Sequence, residues 1–396
     1  MNHIYLDANS TTPMDEAVRQ VMIDAYGDND ANPASQHRPG QAARRKLEDS
    51  RSLIASLLGA QRNDRLIFTS GGTESDNLAV IGIAGGLSSI PKDQQPEVII
   101  SAIEHPAVLG AADFLASRGF IIHKLPADVN GVVDLGKLEE WISPATRLVS
   151  LMLANNETGV LQNVSAAVDI CRPHDVPVHC DAVQAIGKIP VGFRELGVAA
   201  MTITAHKIHG PRGIGGLLVT DQLDVQPLMF GGVQQLGQRP GTEDIALAAG
   251  FAKSVELATE LLDERSSWIR QCRDRFERLI LAELPTTHIH GLNAERLPHT
   301  SNLSFLGESG EAAIDRQALM MAADIEEVAI STGSACTSGS SEASHVLTAM
   351  GCEKAIIDSS IRISFSASTT NLDVTEGARR IIMCVKRLRQ QKSRRN

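Results

Sequence analysis

The feature that most constrains the fold is a repeated pattern in the first part of the chain. Up to about residue 220, a short apolar run is followed by a polar or glycine-rich turn and then by a helical segment. The apolar runs include "RLIFTS", "EVIISAI", "RLVSLML", "VPVHCD", "AMTITA" and "GGLLVT". This alternation predicts an α/β domain with a largely parallel sheet. Parallel strands are covered on both faces, which explains why the runs are apolar almost throughout.

The rest of the chain has a different pattern. After "RPGTED", one long helical stretch runs from "IALAAGF" to "LILAEL". It is apolar at its start and more charged later, as expected of a helix that connects two cores. Beyond it, strands such as "TSNLSFL" and "IRISFS" mix with helices in a smaller α+β pattern. We therefore predict a large domain of residues 15–258 and a small domain made of residues 1–14 and 259–396.

Composition excludes several classes of protein. The chain has 396 residues, 43% of them hydrophobic and 21% charged, which is ordinary for a globular protein. A net charge of -10 argues against a mainly electrostatic binder of nucleic acid. The sequence shows neither a secretory signal nor an apolar run long enough to span a membrane. Its six cysteines form no C-x-x-C pair, so we expect a reducing, cytoplasmic setting without disulfides or a zinc site.

Candidate functional residues follow the apolar runs, because ligands of an open parallel sheet bind beyond the carboxyl ends of its strands. Gly71 and Gly72 allow a tight turn after "LIFTS", and Thr73 or Ser75 can cap the next helix. Free N–H groups, a hydroxyl and the positive helix end suit a phosphate, although a plain capped turn is the alternative. His105 follows "VIISAI" at a helix start, where it has either an acid–base role or only a structural one.

The next two strand ends carry an amide and a carboxylate. Asn155 in "ANNETG" can hydrogen-bond a planar ligand group or simply form a turn. Asp181 directly follows "VPVHC", and a carboxylate there needs a partner, since desolvating it alone is costly. A cationic ring nitrogen would serve. A metal site of His179, Cys180 and Asp181 is excluded, because neighbours on a strand point to opposite faces.

Lys207 ends the run "AMTITAHK" and precedes a Gly-Pro turn. A partly desolvated lysine has a lowered pKa and reacts with aldehydes, whereas the alternative is a lysine that reaches out into solvent. A phosphate-binding turn, an aspartate for a pyridinium nitrogen and a lysine for an aldehyde are together the parts of a pyridoxal 5'-phosphate (PLP) site.

One thiol lies in an unusual run. Cys336 stands within "ISTGSACTSGSSE", residues 330–342, which is too polar to be buried and too rich in Gly and Ser for a stable helix or strand. This composition predicts a mobile loop. A thiol on such a loop is a candidate reactive group, and a chance surface cysteine is the alternative.

The sequence resembles the cysteine desulfurases of the class V aminotransferase group. The motifs that carry the resemblance are "YLDANSTTP", "TSGGTESDN", "NNETG", "HCDAVQAIGK", "AHKIHGPRGIGG", "RPGTED", "STGSACTS" and "SSIRISFS". The resemblance implies a PLP-dependent transferase of fold type I, with a mostly parallel seven-stranded sheet in the large domain and a smaller α+β domain. It also implies a homodimer and, from "TGSACTS", membership of the long-loop subgroup.

The resemblance implies a role for each site residue. Lys207 binds PLP covalently, His105 stacks on its ring and moves protons, Asp181 pairs with the pyridine nitrogen, and Gln184 bonds the phenolic oxygen. Cys336 is the nucleophile. Asn155 and Arg362 hold the substrate carboxylate. The remaining cofactor contacts, with Thr242 coming from the second subunit, are Gly72, Thr73, Asn155, Thr204, Ala205, His206 and Thr242.

The implied activity is removal of sulfur from L-cysteine, giving L-alanine and a persulfide on Cys336. An acceptor protein would then take the sulfur for iron–sulfur cluster assembly or tRNA thiolation. The alternatives are a selenocysteine lyase, another class V aminotransferase-type activity, and a non-catalytic scaffold. Retention of Lys207, Asp181, His105 and Cys336 argues against the scaffold. Gln235 and Leu236 stand where relatives often have Glu-Arg, and the chain ends soon after a basic helix, which leaves the acceptor open.

Overall fold

The computed structural model describes residues 3–28, 31–85, 95–307, 310, 314–333 and 343–393. Within these residues the strands are β1 Ile4–Tyr5, β2 Arg65–Thr69, β3 Glu97–Ser101, β4 Ile121–Leu125, β5 Thr146–Ser150, β6 Val178–Asp181, β7 Ala200–Thr204, β8 Gly215–Val219, β9 Thr287–Ile289, β10 Thr300–Phe305, β11 Val328–Ala329 and β12 Ser360–Ser364.

The α-helices of the same residues alternate with the first eight strands and then dominate the second half. They are α1 Glu16–Asp28, α2 Arg38–Leu57, α3 Gly72–Asn77, α4 Pro106–Ser117, α5 Leu135–Trp141, α6 Val164–Cys171, α7 Phe193–Leu196, α8 Ile245–Glu260, α9 Leu262–Glu283, α10 Arg316–Ile325, α11 His345–Ala349, α12 Lys354–Asp358 and α13 Asn371–Ser393. Helix α3 continues directly into a π-helical turn, Leu78–Ile83.

The described residues form one seven-stranded sheet in the order β2-β8-β7-β6-β5-β3-β4. Strands β4, β3, β5, β6 and β7 form a continuous parallel series. Strand β8 pairs antiparallel with β7 on one side and with β2 on the other. The prediction of a mostly parallel sheet of seven strands is confirmed. All six apolar runs are strands of this sheet. The seventh strand, β4, is a half-exposed edge strand, so its sequence lacks the apolar signal of the others.

The long helix predicted after "RPGTED" is wrong in one respect. It is two helices, α8 and α9, which meet at Leu261 with φ -102° and ψ 17°, outside helical values. Neither Gly nor Pro stands at the break, so nothing in the local sequence marks it. The predicted domain limit, residue 258, lies close to this break and remains a prediction.

The two largest hydrophobic clusters of the described residues divide between α8, which packs in one, and α9, which packs in the other. The larger one packs helices on the seven-stranded sheet, for example through Ile99, Val149 and Phe251. The second packs α9, α10 and α13 against a small antiparallel sheet of β12, β10 and β9. Strand β1 pairs with β11, so the N-terminal residues reach this second cluster and then cross to the large sheet. Among the described residues, no helix is long and apolar enough to cross a membrane.

Candidate active site

The carboxyl ends of β3, β5, β6 and β7 meet at one edge of the large sheet. They carry His105, Asn155, Asp181 and Lys207, in that order. The parallel pairing of β3 with β5, β5 with β6 and β6 with β7 places these ends side by side. The structure therefore brings together four of the residues predicted from sequence, as expected for an open α/β sheet.

Lys207 ends a short 3-10 turn, Ala205–Lys207, directly after β7. Its Nζ donates hydrogen bonds to the main-chain oxygens of Asn9 and Ser10, the latter at 2.8 Å. Burial, assisted by the nearby charge of Arg362, lowers the pKa of Lys207 to about 8. The neutral amine, which attack on an aldehyde requires, is therefore far more populated near neutral pH than in an ordinary lysine.

Asp181 is the last residue of β6 and is buried. Its Oδ1 accepts the N–H of Val183 at 2.9 Å. Burial raises the pKa of Asp181 to about 6, and the Val183 N–H and the charge of Lys207 oppose that rise. A cation placed against this carboxylate would favour its ionised form.

Two more carboxylates are buried behind this edge, those of Asp76 and Glu104. Burial raises the pKa of Asp76 well above its usual range, and the neighbouring Asp181 adds to the rise. Burial also raises the pKa of Glu104 to about 8. Its Oε1 accepts the hydroxyl of Ser101 at 2.7 Å and the N–H of Met152 at 2.8 Å. The edge is thus rich in buried acid groups that a cationic ligand would stabilise.

His105 caps the N-terminus of α4, where its Nδ1 accepts the N–H of Ala107 at 3.2 Å. Burial lowers the pKa of His105 to about 4, and the charge of Lys207 lowers it further. The ring is therefore neutral. Because Nδ1 accepts a hydrogen bond, the single proton of the ring belongs on Nε2.

The turn between β2 and α3 is the one for which the sequence predicted phosphate binding. Gly71 has φ 154° and ψ -176°, a region that is essentially restricted to glycine. A Cβ on Gly71 would meet no atom within 4 Å, so the space beside the turn is open, whereas one on Gly72 would lie 3.2 Å from Cγ2 of Val183. The turn therefore packs next to the residues that follow Asp181. Thr73 is exposed in the first turn of α3, whose N-cap is Gly71 without a side-chain cap bond, so the predicted cap is wrong.

The other predicted phosphate residues lie on the Lys207 side. Thr204 donates its hydroxyl to the Ile214 carbonyl at 3.2 Å. His206 Nδ1 lies 3.2 Å from Oγ1 of Thr11, and burial lowers the pKa of His206 to about 4. Thr242 is not part of this group. It is exposed and lines a separate groove with Ser70 and Arg239.

Asn155 and Gln184 use their amides within the protein. Asn155 is fully buried, with Oδ1 accepting the N–H groups of Glu157 and Thr158, each at 2.9 Å, and Nδ2 donating to Ile103. Gln184 Nε2 donates to the Asn9 carbonyl at 3.1 Å. Both residues stand at the predicted edge, and their ligand contacts remain predictions.

Arg362 reaches the same edge from the small antiparallel sheet, on β12. One Nη donates to Asp7 at 2.8 Å and to the Ser10 hydroxyl at 2.9 Å, and the other donates to the Asn156 carbonyl at 3.0 Å. A substrate carboxylate would have to share this guanidinium with Asp7. If Arg362 binds the substrate as predicted, the substrate carboxylate competes with the carboxylate of Asp7. The sequence did not suggest this pairing of Arg362 with Asp7.

Comparison with known proteins identifies the family. The aminotransferase class-V family matches residues 4–376. The cysteine desulfurase IscS of Dictyoglomus turgidum is 38% identical over 371 residues, 94% of this chain and 91% of that protein. NifS of Azotobacter vinelandii, also a cysteine desulfurase, is 35% identical over 389 residues, 98% of this chain and 94% of that protein.

The chain belongs to the class-V aminotransferases, within their cysteine desulfurase group. The solved structure of a NifS-like protein superimposes with a TM-score of 0.88 at 32% identity, covering 98% of this chain and all of that one.

Class-V aminotransferases are PLP enzymes, and the strand-end residues of this member fit that cofactor. Lys207 offers a partly neutral amine, Asp181 a buried carboxylate that a cationic ring would satisfy, and Gly71 an open turn at a helix start. PLP carries an aldehyde, a cationic ring nitrogen and a phosphate, which match the amine, the carboxylate and the turn in that order. The fit rests on the donor and acceptor chemistry of the residues themselves.

Sequence reasoning missed several residues that build the site of this class-V protein. Asn9 bonds Gln184 and Lys207 through its carbonyl and bonds the Asn156 carbonyl through its amide. Lys188, also buried, donates from Nζ to the Lys207 carbonyl at 2.8 Å, and burial lowers the pKa of Lys188 to about 7. The polar run "ANSTT" after β1 was the available signal for Asn9, whereas Lys188 had none.

Cys336 lies outside the described residues, which stop at Gly333 and resume at Ala343. Its role therefore remains a prediction, as does the long-loop subgroup. The five cysteines in the described part of the chain are free thiols. Four of them are buried, and burial raises the pKa of each of the five, so none of these five is a better candidate nucleophile.

Proposed function

We propose that this protein is a PLP-dependent cysteine desulfurase that converts L-cysteine to L-alanine and leaves the sulfur on Cys336. The observation that carries the proposal is Lys207, whose pKa is lowered to about 8, at the same sheet edge as Asp181 and His105. Its relatives named IscS and NifS are cysteine desulfurases, which favours this substrate over others of the family.

Each strand-end residue has a part in holding the cofactor. Lys207 would bind it through Nζ, and Asp181 would hold the positive charge of its ring nitrogen. Neutral His105 presents a flat ring beside Lys207, which suits stacking. Phosphate contacts are proposed for Gly72, Thr73, Thr204, Ala205 and His206. When bound, PLP supplies an electron sink that acidifies the Cα proton of an amino acid and weakens its Cβ–S bond.

Proton transfer requires a base with a pKa near the working pH. Lys207, with a pKa of about 8, meets this condition at Cα, whereas His105, with a pKa of about 4, is neutral throughout the physiological range. We therefore assign the Cα proton to Lys207. To His105, with its proton on Nε2, we assign the donation of a proton to Cβ after the Cβ–S bond breaks.

The sulfur step belongs to Cys336. Its thiolate forms an S–S bond with the substrate sulfur, the Cβ–S bond breaks, and the electron pair of that bond stays on Cβ, which takes up a proton. L-cysteine and a thiol thus become L-alanine and a persulfide, and the atoms balance without an external oxidant or reductant. An acceptor protein would then receive the persulfide sulfur, and cytoplasmic location fits that use.

We further propose a homodimer in which Thr242 completes the phosphate site of the partner subunit. The segment before Thr242 exposes large apolar side chains: Phe230 is 82% exposed, Val233 89% and Leu236 78%. Such a cluster is unusual on a monomer surface and favours burial against another chain. Analytical ultracentrifugation of the PLP-loaded protein should show a dimer, and a fully loaded monomer would contradict this.

The decisive experiment is incubation of the purified, PLP-loaded protein with L-cysteine and a thiol reductant. We expect sulfide and alanine in equal amounts. Lys207→Ala serves as the control that keeps the fold but lacks the amine. Consumption of cysteine that depends on an added keto acid and releases no sulfide would instead identify an aminotransferase.

A further inference from the structure

Glu157 is a buried carboxylate that neither the cofactor nor the substrate uses in the proposed mechanism. It follows Asn155 in "NNETG" and is only 1% exposed. Its N–H donates to Oδ1 of Asn155 at 2.9 Å, and its carbonyl accepts Nδ2 of Asn302 at 3.2 Å. The backbone of Glu157 is therefore fixed between the end of β5 and β10 of the small sheet.

One oxygen of this carboxylate bonds a residue that follows the Cys336 segment and lies near Gly333, the residue before it. Oε2 accepts the hydroxyl of Ser344, which is fully buried, at 2.6 Å. The same Oε2 would lie 3.0 Å from a Cβ built on Gly333, where φ is 85°. The chain therefore approaches Glu157 at Gly333 and returns to it at Ser344.

A second contact links the start of α11 to the residues that follow β3. His345 Nε2 donates to the Glu104 carbonyl at 2.9 Å, one residue before His105. Ser344 also caps α11 by accepting the Leu347 N–H at 3.1 Å. The start of α11 is thus tied to the ends of both β3 and β5, which carry His105 and Asn155.

We propose that Glu157 is a positioning residue for sulfur transfer: through Ser344 it holds the C-terminal end of the segment that carries Cys336 beside the strand ends proposed to hold cofactor and substrate. Cys336 follows Gly333 by three residues, so the place of Gly333 limits where the thiol can go. The inference rests on the proposed desulfurase activity and adds to it a residue that contacts neither cofactor nor substrate.

Burial and charge at Glu157 agree with such an internal tie. Burial raises the pKa of Glu157, while the Ser344 hydroxyl and the charges of His345 and Arg362 favour its ionised form. A hydrogen bond between a hydroxyl and a buried carboxylate is among the stronger ones, because the acceptor is charged and water is absent. Its loss would leave Ser344 without that partner.

The test separates the steps before and after Cys336 acts. Glu157→Ala should keep PLP absorbance and the spectral change on addition of L-cysteine. Persulfide on the Cys336 peptide, followed by mass spectrometry in a single turnover, should form roughly 100-fold more slowly, the effect of a misplacement of about 1 Å. Glu157→Gln retains an oxygen for Ser344 and should stay within about threefold of wild type.

The matched control is Glu277→Ala. Glu277 is likewise buried and accepts a serine hydroxyl, that of Ser301, at 2.7 Å, but it lies on α9 beside Arg296. This variant should lose thermal stability and keep the persulfide rate. If Glu157→Ala does not fold, Ser344→Ala against Ser344→Thr makes the same comparison, since threonine keeps the hydroxyl and the cap.

A readout independent of turnover is amide exchange in residues 343–349, which should be faster in Glu157→Ala and unchanged in Glu277→Ala. The inference is overturned if Glu157→Ala forms persulfide at the wild-type rate, or if it loses the cysteine-induced spectral change to the same extent as the persulfide. Wild-type protein that makes no sulfide would instead refute the proposed function, and the exchange result would still stand.

Discussion

The two sheets of this protein contribute to the site in different ways. The seven-stranded sheet delivers side chains from the carboxyl ends of neighbouring parallel strands, so residues far apart in sequence meet at one edge. The three-stranded sheet is antiparallel and delivers Arg362 from the middle of β12. Arg362 arrives already paired with Asp7, whereas Lys207 arrives with only carbonyl partners among its hydrogen bonds.

The difference suggests a division of roles: we expect the large sheet to supply the reactive groups and the small sheet to supply substrate recognition. At the large sheet, burial changes the pKa of Lys207, Asp181 and His105 and so sets their reactivity. At the small sheet, a guanidinium with an internal carboxylate partner supplies a charge that a substrate carboxylate can recognise. Variants of the two sheets should therefore fail differently, the first in turnover and the second in substrate affinity.

The largest effect is expected for Lys207→Ala. Without the amine, both the covalent bond to PLP and the base at Cα are lost, so sulfide production from L-cysteine should fall by several orders of magnitude. Borohydride reduction of wild-type protein followed by peptide mapping should place the PLP label on Lys207. A label on Lys188, the neighbouring buried lysine, would move the assignment there.

A smaller effect is expected for Arg362→Leu, which tests the small sheet. Loss of a charged hydrogen-bonded pair should raise the KM for L-cysteine roughly 10- to 100-fold, with a smaller change in kcat. Steady-state kinetics on protein with matched PLP content measures both constants.

Arg273→Leu is the control for that variant. Arg273 is also a buried arginine, but it lies on α9 and donates to the Leu297 carbonyl, away from the strand ends. Its KM should not change. An unaltered KM in Arg362→Leu would remove the substrate carboxylate from this residue and end the contrast between the two sheets.

The contrast between the two sheets also explains which elements could be predicted from the sequence. Buried parallel strands have nearly uniform apolar sequences, so β2, β3, β5, β6, β7 and β8 were all predicted, and a strand end is a position where a polar residue is conspicuous. Lys207, Asp181 and His105 were predicted in this way. Edge strand β4 was missed because it is half-exposed and lacks an apolar run, and the break at Leu261 was missed because neither Gly nor Pro marks it.

Residues whose role depends on long-range pairing could not be predicted. Asp7 faces Arg362 across 355 positions of the chain, and Glu157 reaches Ser344 across 187. No local periodicity encodes such a meeting. The resemblance to the cysteine desulfurases proposed Arg362 for the substrate, yet the internal carboxylate that shares it emerged only from the fold.

The smallest expected effect is a shift in pH dependence that links the two sheets. The neutral amine of Lys207 is the form that reacts with PLP, so the rate of PLP uptake by cofactor-free protein should rise with pH around a midpoint near 8, the pKa to which burial lowers this lysine. The positive charge of Arg362 contributes to that lowering, because it disfavours a second cation nearby. Arg362→Leu removes this contribution, which raises the pKa of Lys207 and moves the midpoint to higher pH. At neutral pH the variant should therefore take up PLP more slowly, and the two proteins should converge at alkaline pH, where both amines are neutral.

Stopped-flow absorbance across the pH range measures the midpoints, with Arg273→Leu expected to match wild type. A midpoint that stays in place, or moves to lower pH, would show that the small sheet does not act on the lysine of the large one.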